Sequence, residues 1–250
     1  MISFCVTCRN RLWQLEQTLP PNLAALGPRD EICLVDYGSR DGLSAWVWAH
    51  FGDAVASGRL RFFEVTDPVE WNVAKAKNLA HRVASGSYLF NLDADNWLHP
   101  DEVALVEKAA RRGVFCHQFS GVLPDGSYGR IGIPRERFRE LGGYDEQLAL
   151  NIEDRDLLER ALALGWPGVR LPPPRRTAIA NTFEQRMAEA GGARKDRQAY
   201  NAIAQRARSL AAERRAREGP RRLGGFPAFH GLLNGRPVRV EEFDRILPAG

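Results

Sequence analysis

Asp93-Ala94-Asp95 sets two carboxylates two residues apart, where both can reach one hard divalent cation, Mg2+ or Mn2+, that bridges a diphosphate. Alone, Asp-x-Asp is a common string, because acids are frequent in turns. Its flanks give it weight. The apolar run from Tyr88 to Leu92 reads as a buried strand delivering Asp93 at its carboxyl end, and His99-Pro100-Asp101 opens a helix just beyond. Open α/β sheets bind ligands outside the carboxyl ends of their strands. A second cluster, Asp36-Tyr37-Gly38-Ser39-Arg40-Asp41-Gly42, closes another strand. Its donors and acceptors, Asp36, Ser39 and Asp41 among them, suit a pyrimidine base and ribose, or else simply make a tight turn. In a third, Asn72 to Asn78, the residues Ala74, Lys77, Asn78 and His81 share one helix face. That face offers a cation and an amide to a diphosphate or to sugar hydroxyls, although by itself it is only an amphipathic helix.

The elements that must hold these residues alternate through the first half of the chain. Strands are expected over Ile2 to Thr7, Glu31 to Val35, Arg61 to Val65 and Tyr88 to Leu92, with helices from Leu12, from Leu43 and over Asn72 to Ala84. Pro20-Pro21 should end or interrupt the first helix, because proline lacks the amide donor and clashes with the preceding turn. Gly113 to Ser120 and Ser127 to Ile133 read as strands that turn the sheet mixed, and Pro134 starts a short helix. Leu157, Leu158, Ala161, Leu162 and Leu164 form an apolar stripe behind Glu153-Asp154-Arg155-Asp156, whose acids suit a helix's first turn. Pro172-Pro173-Pro174 ends the compact region. Two helical stretches, a Gly224-Gly225 break and a short tail are expected after it.

The three clusters, in this order and at these separations, resemble the nucleotide-binding half of GT-A glycosyltransferases, particularly the large family 2 group. The likeness begins at Thr7-Cys8-Arg9-Asn10-Arg11, continues through Val35 to Asp41 and Asn72 to Asn78, and reaches Asp93-Ala94-Asp95. Ile133-Pro134-Arg135, Leu141 to Glu146 and Asn151 to Arg160 resemble the acceptor half, so the likeness covers residues 2 to about 170. It implies a Rossmann-like GT-A domain over residues 1–175, with a mixed, mostly parallel sheet flanked by helices. Residues 1–100 would bind the nucleotide sugar and 101–175 the acceptor, and a helical, arginine-rich extension over 176–250 would pack on or cap the site. It further implies inverting transfer of a sugar from a nucleoside-diphosphate donor, expected to be UDP-linked, to an acceptor hydroxyl of a glycan, lipid, protein or small molecule. Thr7, Arg9, Asp36, Ser39, Asp41, Lys77, Asn78, Asp93 and Ala94 would line the donor site. Asp36 would accept from the base, Asp93 would touch ribose or metal, and Asp95 would ligate Mn2+ or Mg2+. Asp154, with Glu153 beside it, would be the general base. Lys77 stands where many relatives carry arginine, so a point charge replaces a bidentate fork. A third metal ligand in such chains is often a late histidine, which points to His230. Trp71, Trp97 and Trp166 could stack on sugar faces.

Composition bounds these readings. The 250 residues suffice for one large α/β unit with an extension, and the 44% hydrophobic and 26% charged content is ordinary for a globular protein. No apolar run reaches the length of a membrane span, and Met1 to Val6 enters a strand pattern at once. Cytoplasmic residence is therefore expected. Four cysteines are too sparse for a disulfide framework, and Cys5-x-x-Cys8 lacks the second pair that a zinc site needs, so buried strand thiols are favoured. Ten basic residues between Arg194 and Arg222 crowd one stretch within a net charge of only +4. They leave two readings: a solvated helix face, or contact with phosphate or an anionic membrane surface. No specific nucleic-acid partner is expected. Two rival classes stand beside the transferase. A sugar nucleotidyltransferase wants closely spaced glycines where Arg9-Asn10-Arg11 stands, and an RNA- or polyanion-binding module would use the arginines alone.

Overall fold

The computed structural model describes residues 1–67, 69–120, 127–148, 152–176, 178–182, 197–221, 227–242 and 245–248. Its centre is four parallel strands. β1 (Ile2–Cys8) lies between β2 (Glu31–Asp36) and β4 (Tyr88–Asn91), and β3 (Leu60–Val65) lies outside β2. β1 and β2 are buried along almost their whole length, as expected of strands covered on both faces. Helices α1 (Leu12–Ala25), α2 (Leu43–Ala56) and α4 (Pro100–Arg111) cover the face that carries Phe4, Val6 and Leu34. Helices α3 (Val73–Val83), α5 (Arg135–Leu141) and α6 (Glu153–Ala163) cover the face that carries Cys5, Cys33 and Val35.

The period of two along a strand sends Cys5 and Cys8 into opposite cores, so this Cys-x-x-Cys cannot form a shared site. All four cysteines are buried free thiols.

On one flank, β6 (Ile131–Pro134) pairs antiparallel with β4, then β5 (Phe115–His117) with β6, and β7 (Gly168–Arg170) runs parallel to β5. The mixed sheet is as expected, but these strands are shorter than the apolar runs implied. Residues 121–126, where the turn between them was expected, and the Gly224-Gly225 break lie outside the described residues.

Two expectations fail for identifiable reasons. Helix α1 runs through Pro20 and Pro21 to Ala25. Pro21 cannot donate to the carbonyl of Gln17, four residues back, and the Trp97 indole Nε1 donates to that oxygen instead, at 3.3 Å. The C-terminal region is not helical throughout. After α7 (Arg197–Glu218), strands β8 (Phe229–Leu233), β9 (Arg236–Glu242) and β10 (Arg245–Pro248) extend the sheet antiparallel from β3. Asn234 and Gly235, both at positive φ, make the two-residue turn between β8 and β9. Asn-Gly between strand residues is a strong short hairpin signal, and the expectation of a helical extension passed over it. The among-strand order is β10-β9-β8-β3-β2-β1-β4-β6-β5-β7.

Helix α7 docks on the segment around Asp145 to Asp156. Its Ala207 and Ala211 form a small core with Leu148 and Ile152. Arg214 pairs with Asp145 at 3.4 Å and Glu218 at 2.9 Å, and Arg215 with Asp156 at 3.0 Å. The Arg214–Glu218 pair is a local pairing of the kind that goes with the solvated-face reading, but Arg214 is buried and both arginines also reach carboxylates of other elements. Among the described residues, no helix is long and apolar enough to cross a membrane.

Candidate functional site

The carboxyl ends of β1, β2 and β4 open on one edge of the sheet. There the loops that leave β1 and β2 are laced together. The Asn10 amide donates to Ser39 Oγ (3.1 Å), the Arg40 amide to Asn10 Oδ1 (2.7 Å) and the Leu12 amide to Asp41 Oδ2 (2.8 Å). Ser39 and Asp41 are thus occupied in shaping the loop. Asp36 is buried and accepts from the Ser39 amide at 2.7 Å; burial raises its proton affinity against the effect of that bond. Tyr37 stands edge-on to Trp71 and Phe229, both at 5.8 Å between ring centres. Arg9 Nη1 donates to the Val69 carbonyl (3.0 Å), and Thr7 sits half-buried opposite Val35.

Beyond β4, the Asp-x-Asp segment is pinned from both sides. Thr18 Oγ1 of α1 donates to the Ala94 carbonyl at 2.7 Å, and Asn22 brackets Asn96 and Leu98 with bonds of 2.9 and 2.7 Å. From below, the buried Arg130 donates to Gln118 (2.6 Å) and to the Trp97 carbonyl (2.9 Å), and pairs with Glu102 at 3.3 Å. Asp95 accepts from Asn96 Nδ2 (2.6 Å) and Asn181 Nδ2 (2.8 Å). Burial, and next the carboxylate of Asp93, push Asp95 up to about 6. Asp93 is 39% exposed at its side chain.

Glu153 and Asp154 of α6 meet this segment through one lysine. Lys77 Nζ lies 2.8 and 2.7 Å from the two oxygens of Asp154, 2.9 Å from Glu153 Oε1 and 3.8 Å from Asp93 Oδ1. Burial alone would lower the lysine's proton affinity; Asp154, Glu153 and Asp93 together hold it well above its ordinary value. Burial raises Asp154 in turn, with Glu153 and Asp93 adding to it against the lysine's pull. One cation thus serves three carboxylates.

Other expected residues are placed elsewhere. Asn78 is spent on structure: its side chain donates to the Tyr144 carbonyl and to Glu146 Oε1, each at 2.9 Å, and accepts from the Tyr144 amide. It therefore offers no free amide to a phosphate. His81 stacks on Phe138 at 4.5 Å, and burial holds it neutral, down to about 3. His230 lies on β8, four strand positions from β4, or roughly 19 Å at ordinary strand spacing. Its Nδ1 is 3.1 Å from Asp67 Oδ2, so the structure does not bring it to Asp95. The Arg137 guanidinium covers Trp166 at 5.1 Å and that of Arg176 covers Trp97 at 3.4 Å.

Spacing missed Asn91, Gly129, Arg130 and Asn181, because each acts across a long stretch of chain. A weak signal existed for Arg130 alone, a charge inside an expected apolar strand, which must find a partner when buried.

Among the described residues no three His, Cys, Asp or Glu groups form a ready metal cage. Asp93 and Asp95 are nonetheless the donor set that a hard cation takes when substrate phosphates and water complete its shell. The like-charge strain that raises Asp95 is what such a cation would relieve.

The profile of Glycosyl transferase family 2 matches residues 3–151. No curated protein sequence matches the chain. Among solved structures, the mannosyltransferase PcManGT of Pyrobaculum calidifontis, in complex with GDP-Man and Mn2+, aligns with a TM-score of 0.57 at 20% identity, over 87% of this chain and 75% of that one. TarS 1-349 of S. aureus aligns at 0.57 and 15% identity, over 81% of this chain and 69% of that one. The same fragment in complex with UDP aligns at 0.53 and 14% identity, over 86% and 71%. At such identities the likeness is one of fold. The family match covers more than half of the sequence, and the site stands at the ligand edge of that fold; the chain therefore belongs to glycosyl transferase family 2 and is a glycosyltransferase.

Proposed function

We propose that this glycosyltransferase moves a sugar from a nucleoside-diphosphate sugar to an acceptor hydroxyl with inversion, Asp154 acting as general base. The observation that carries the reading is the convergence of Asp93 and Asp154 on Lys77 at the carboxyl edge of the parallel strands. In a direct displacement, the acceptor oxygen must lose a proton as it attacks the anomeric carbon from the side opposite the leaving diphosphate. A buried carboxylate with raised proton affinity, held beside the donor segment, suits that transfer.

Asp36 accepts from the nucleotide's base at the exit of β2, where Tyr37, Trp71 and Arg9 line the approach. Asp93 and Asp95 hold Mn2+ or Mg2+, which when bound supplies positive charge against the leaving diphosphate. Lys77 holds Asp154 and Glu153 in place. UDP is the expected donor nucleotide, since Asp36 and the turn behind it suit a pyrimidine; the complexes of similar folds with GDP-Man and with UDP make GDP the alternative to screen. The acceptor is a glycan, lipid, protein or small molecule bearing a hydroxyl. Peripheral membrane docking through the exposed arginines of α7, Arg206 and Arg208, is a further part of this reading.

The test is a screen of UDP- and GDP-sugars with Mn2+ or Mg2+, read by thermal shift and by release of nucleoside diphosphate. One nucleotide should stabilise the protein in a metal-dependent way, and its sugar donor should be hydrolysed slowly without acceptor. No stabilisation by any nucleotide with either metal would overturn the reading.

A further inference from the structure

Gly129 lies just before β6, with its backbone held on two sides. Its carbonyl accepts from Asn91 Nδ2 at 2.8 Å and from the Ile131 amide at 3.0 Å. Its φ is not among the positive values, so its conformation does not require glycine. Space does. A Cβ there would stand 2.8 Å from Asp93 Oδ2, 3.2 Å from Asp154 Oδ2 and 3.2 Å from Asn91 Nδ2. Two of these three atoms belong to the donor-side carboxylate and the proposed base. Both oxygens therefore sit within contact distance of one point above the Gly129 Cα.

We infer that Gly129 is a positioning residue for transfer: its bare Cα is the floor on which Asp93 and Asp154 converge, and any side chain there forces the donor-side and acceptor-side carboxylates apart. The inference rests on the proposed roles of Asp93 and Asp154 and adds to them what sets their separation. The backbone cannot yield, because the Asn91 and Ile131 bonds fix it, so the carboxylates must move. Asp154 is held by Lys77 and Asp93 is the more exposed, so Asp93 would move most. Asp93 Oδ2 must give by about half an ångström to reach ordinary contact, and a displacement of that size costs on the order of 10-fold in rate.

The test compares wild type with Gly129→Ala, using the UDP- or GDP-sugar that the wild type hydrolyses fastest with Mn2+. For the variant we expect the melting temperature and the affinity for the free nucleoside diphosphate to stay close to wild type, the latter within about threefold. Its kcat for donor hydrolysis should fall about 10-fold. In an Asp154→Ala background the same substitution should cost less than about threefold, because the separation it disturbs no longer matters. Wild-type kcat in Gly129→Ala, or an equal loss in both backgrounds, would overturn the inference. If Gly129→Ala does not fold, Gly129→Ala/Asp93→Gly decides: recovery of soluble protein supports the clash with Asp93, and continued misfolding overturns it. A wild type that neither binds nucleotide nor hydrolyses any donor fails the functional reading itself, a result separate from all of these.

Discussion

At the scale of single residues, the site is governed by how few positive charges face its carboxylates. Lys77 serves Asp154, Glu153 and Asp93 at once, and Asp154 is the proposed base. Asp154→Asn should lower kcat by about 10² to 10⁴-fold while nucleotide affinity changes little, as separate turnover and calorimetric measurements would show. Asp95 makes a second prediction, on stability. Its folded value of about 6 lies above its ordinary 3.8, so between the two the native protein binds more protons than the unfolded chain. This group's contribution is then fully present at the acid end and is lost as pH rises through about 6. Asp95→Asn should accordingly stabilise the metal-free protein at pH 8 by on the order of 2–3 kcal/mol and change little near pH 3.5, as measured by denaturant melts. Adding Mn2+ with nucleotide should raise the wild-type melting point and not the variant's.

At the scale of elements, α6 brings the proposed base to the site and is itself clamped from behind. Arg160, fully buried, donates from Nε to Asp156 at 2.7 Å and from Nη1 to the Leu141 carbonyl at 2.8 Å, which ties α6 to the end of α5. Its replacement by methionine strands buried acceptors that water cannot reach. Arg160→Met should cost about 3–5 kcal/mol in chemical denaturation, well beyond the effect of a surface arginine. Helix α1 shows the complementary case, in which a broken ladder is mended from outside. Trp97→Phe removes the indole donor to the Gln17 carbonyl that Pro21 leaves open, and a loss of about 1 kcal/mol is expected from the same experiment.

At the scale of the whole molecule, the C-terminal strands finish what the first half begins. They cover the open edge of β3, and Phe229 packs against Tyr37 beside the expected base pocket. Arg82 of α3 reaches across to the carbonyls of Pro227 (2.9 Å) and Val240 (3.3 Å). Removal of residues 227–250 should expose β3 as a bare edge, so that light scattering detects self-association and nucleotide affinity falls with the loss of support for Tyr37.

The sequence by itself determined what local pattern can encode. Apolar runs such as Ile2 to Thr7 and Tyr88 to Leu92 marked the parallel core, and the order of Asp36, Lys77, Asp93-Ala94-Asp95 and Glu153-Asp154 pointed to the family, which the profile match bears out. The Asn234-Gly235 hairpin signal was passed over, because the extension was expected to be helical. Tertiary structure alone decided which of those residues meet. Lys77 turned toward the acids of α6, 76 and 77 residues away, where the sequence suggested phosphate, and Asn78 was consumed by the loop at Tyr144. His230 was carried to the far side of the sheet because β8 pairs with β3. The reason is physical: periodicity and turn chemistry act over a few residues, whereas the partner of a buried charge is set by which elements pack together. A glycine such as Gly129 shows its purpose only when two distant carboxylates are seen to close over it.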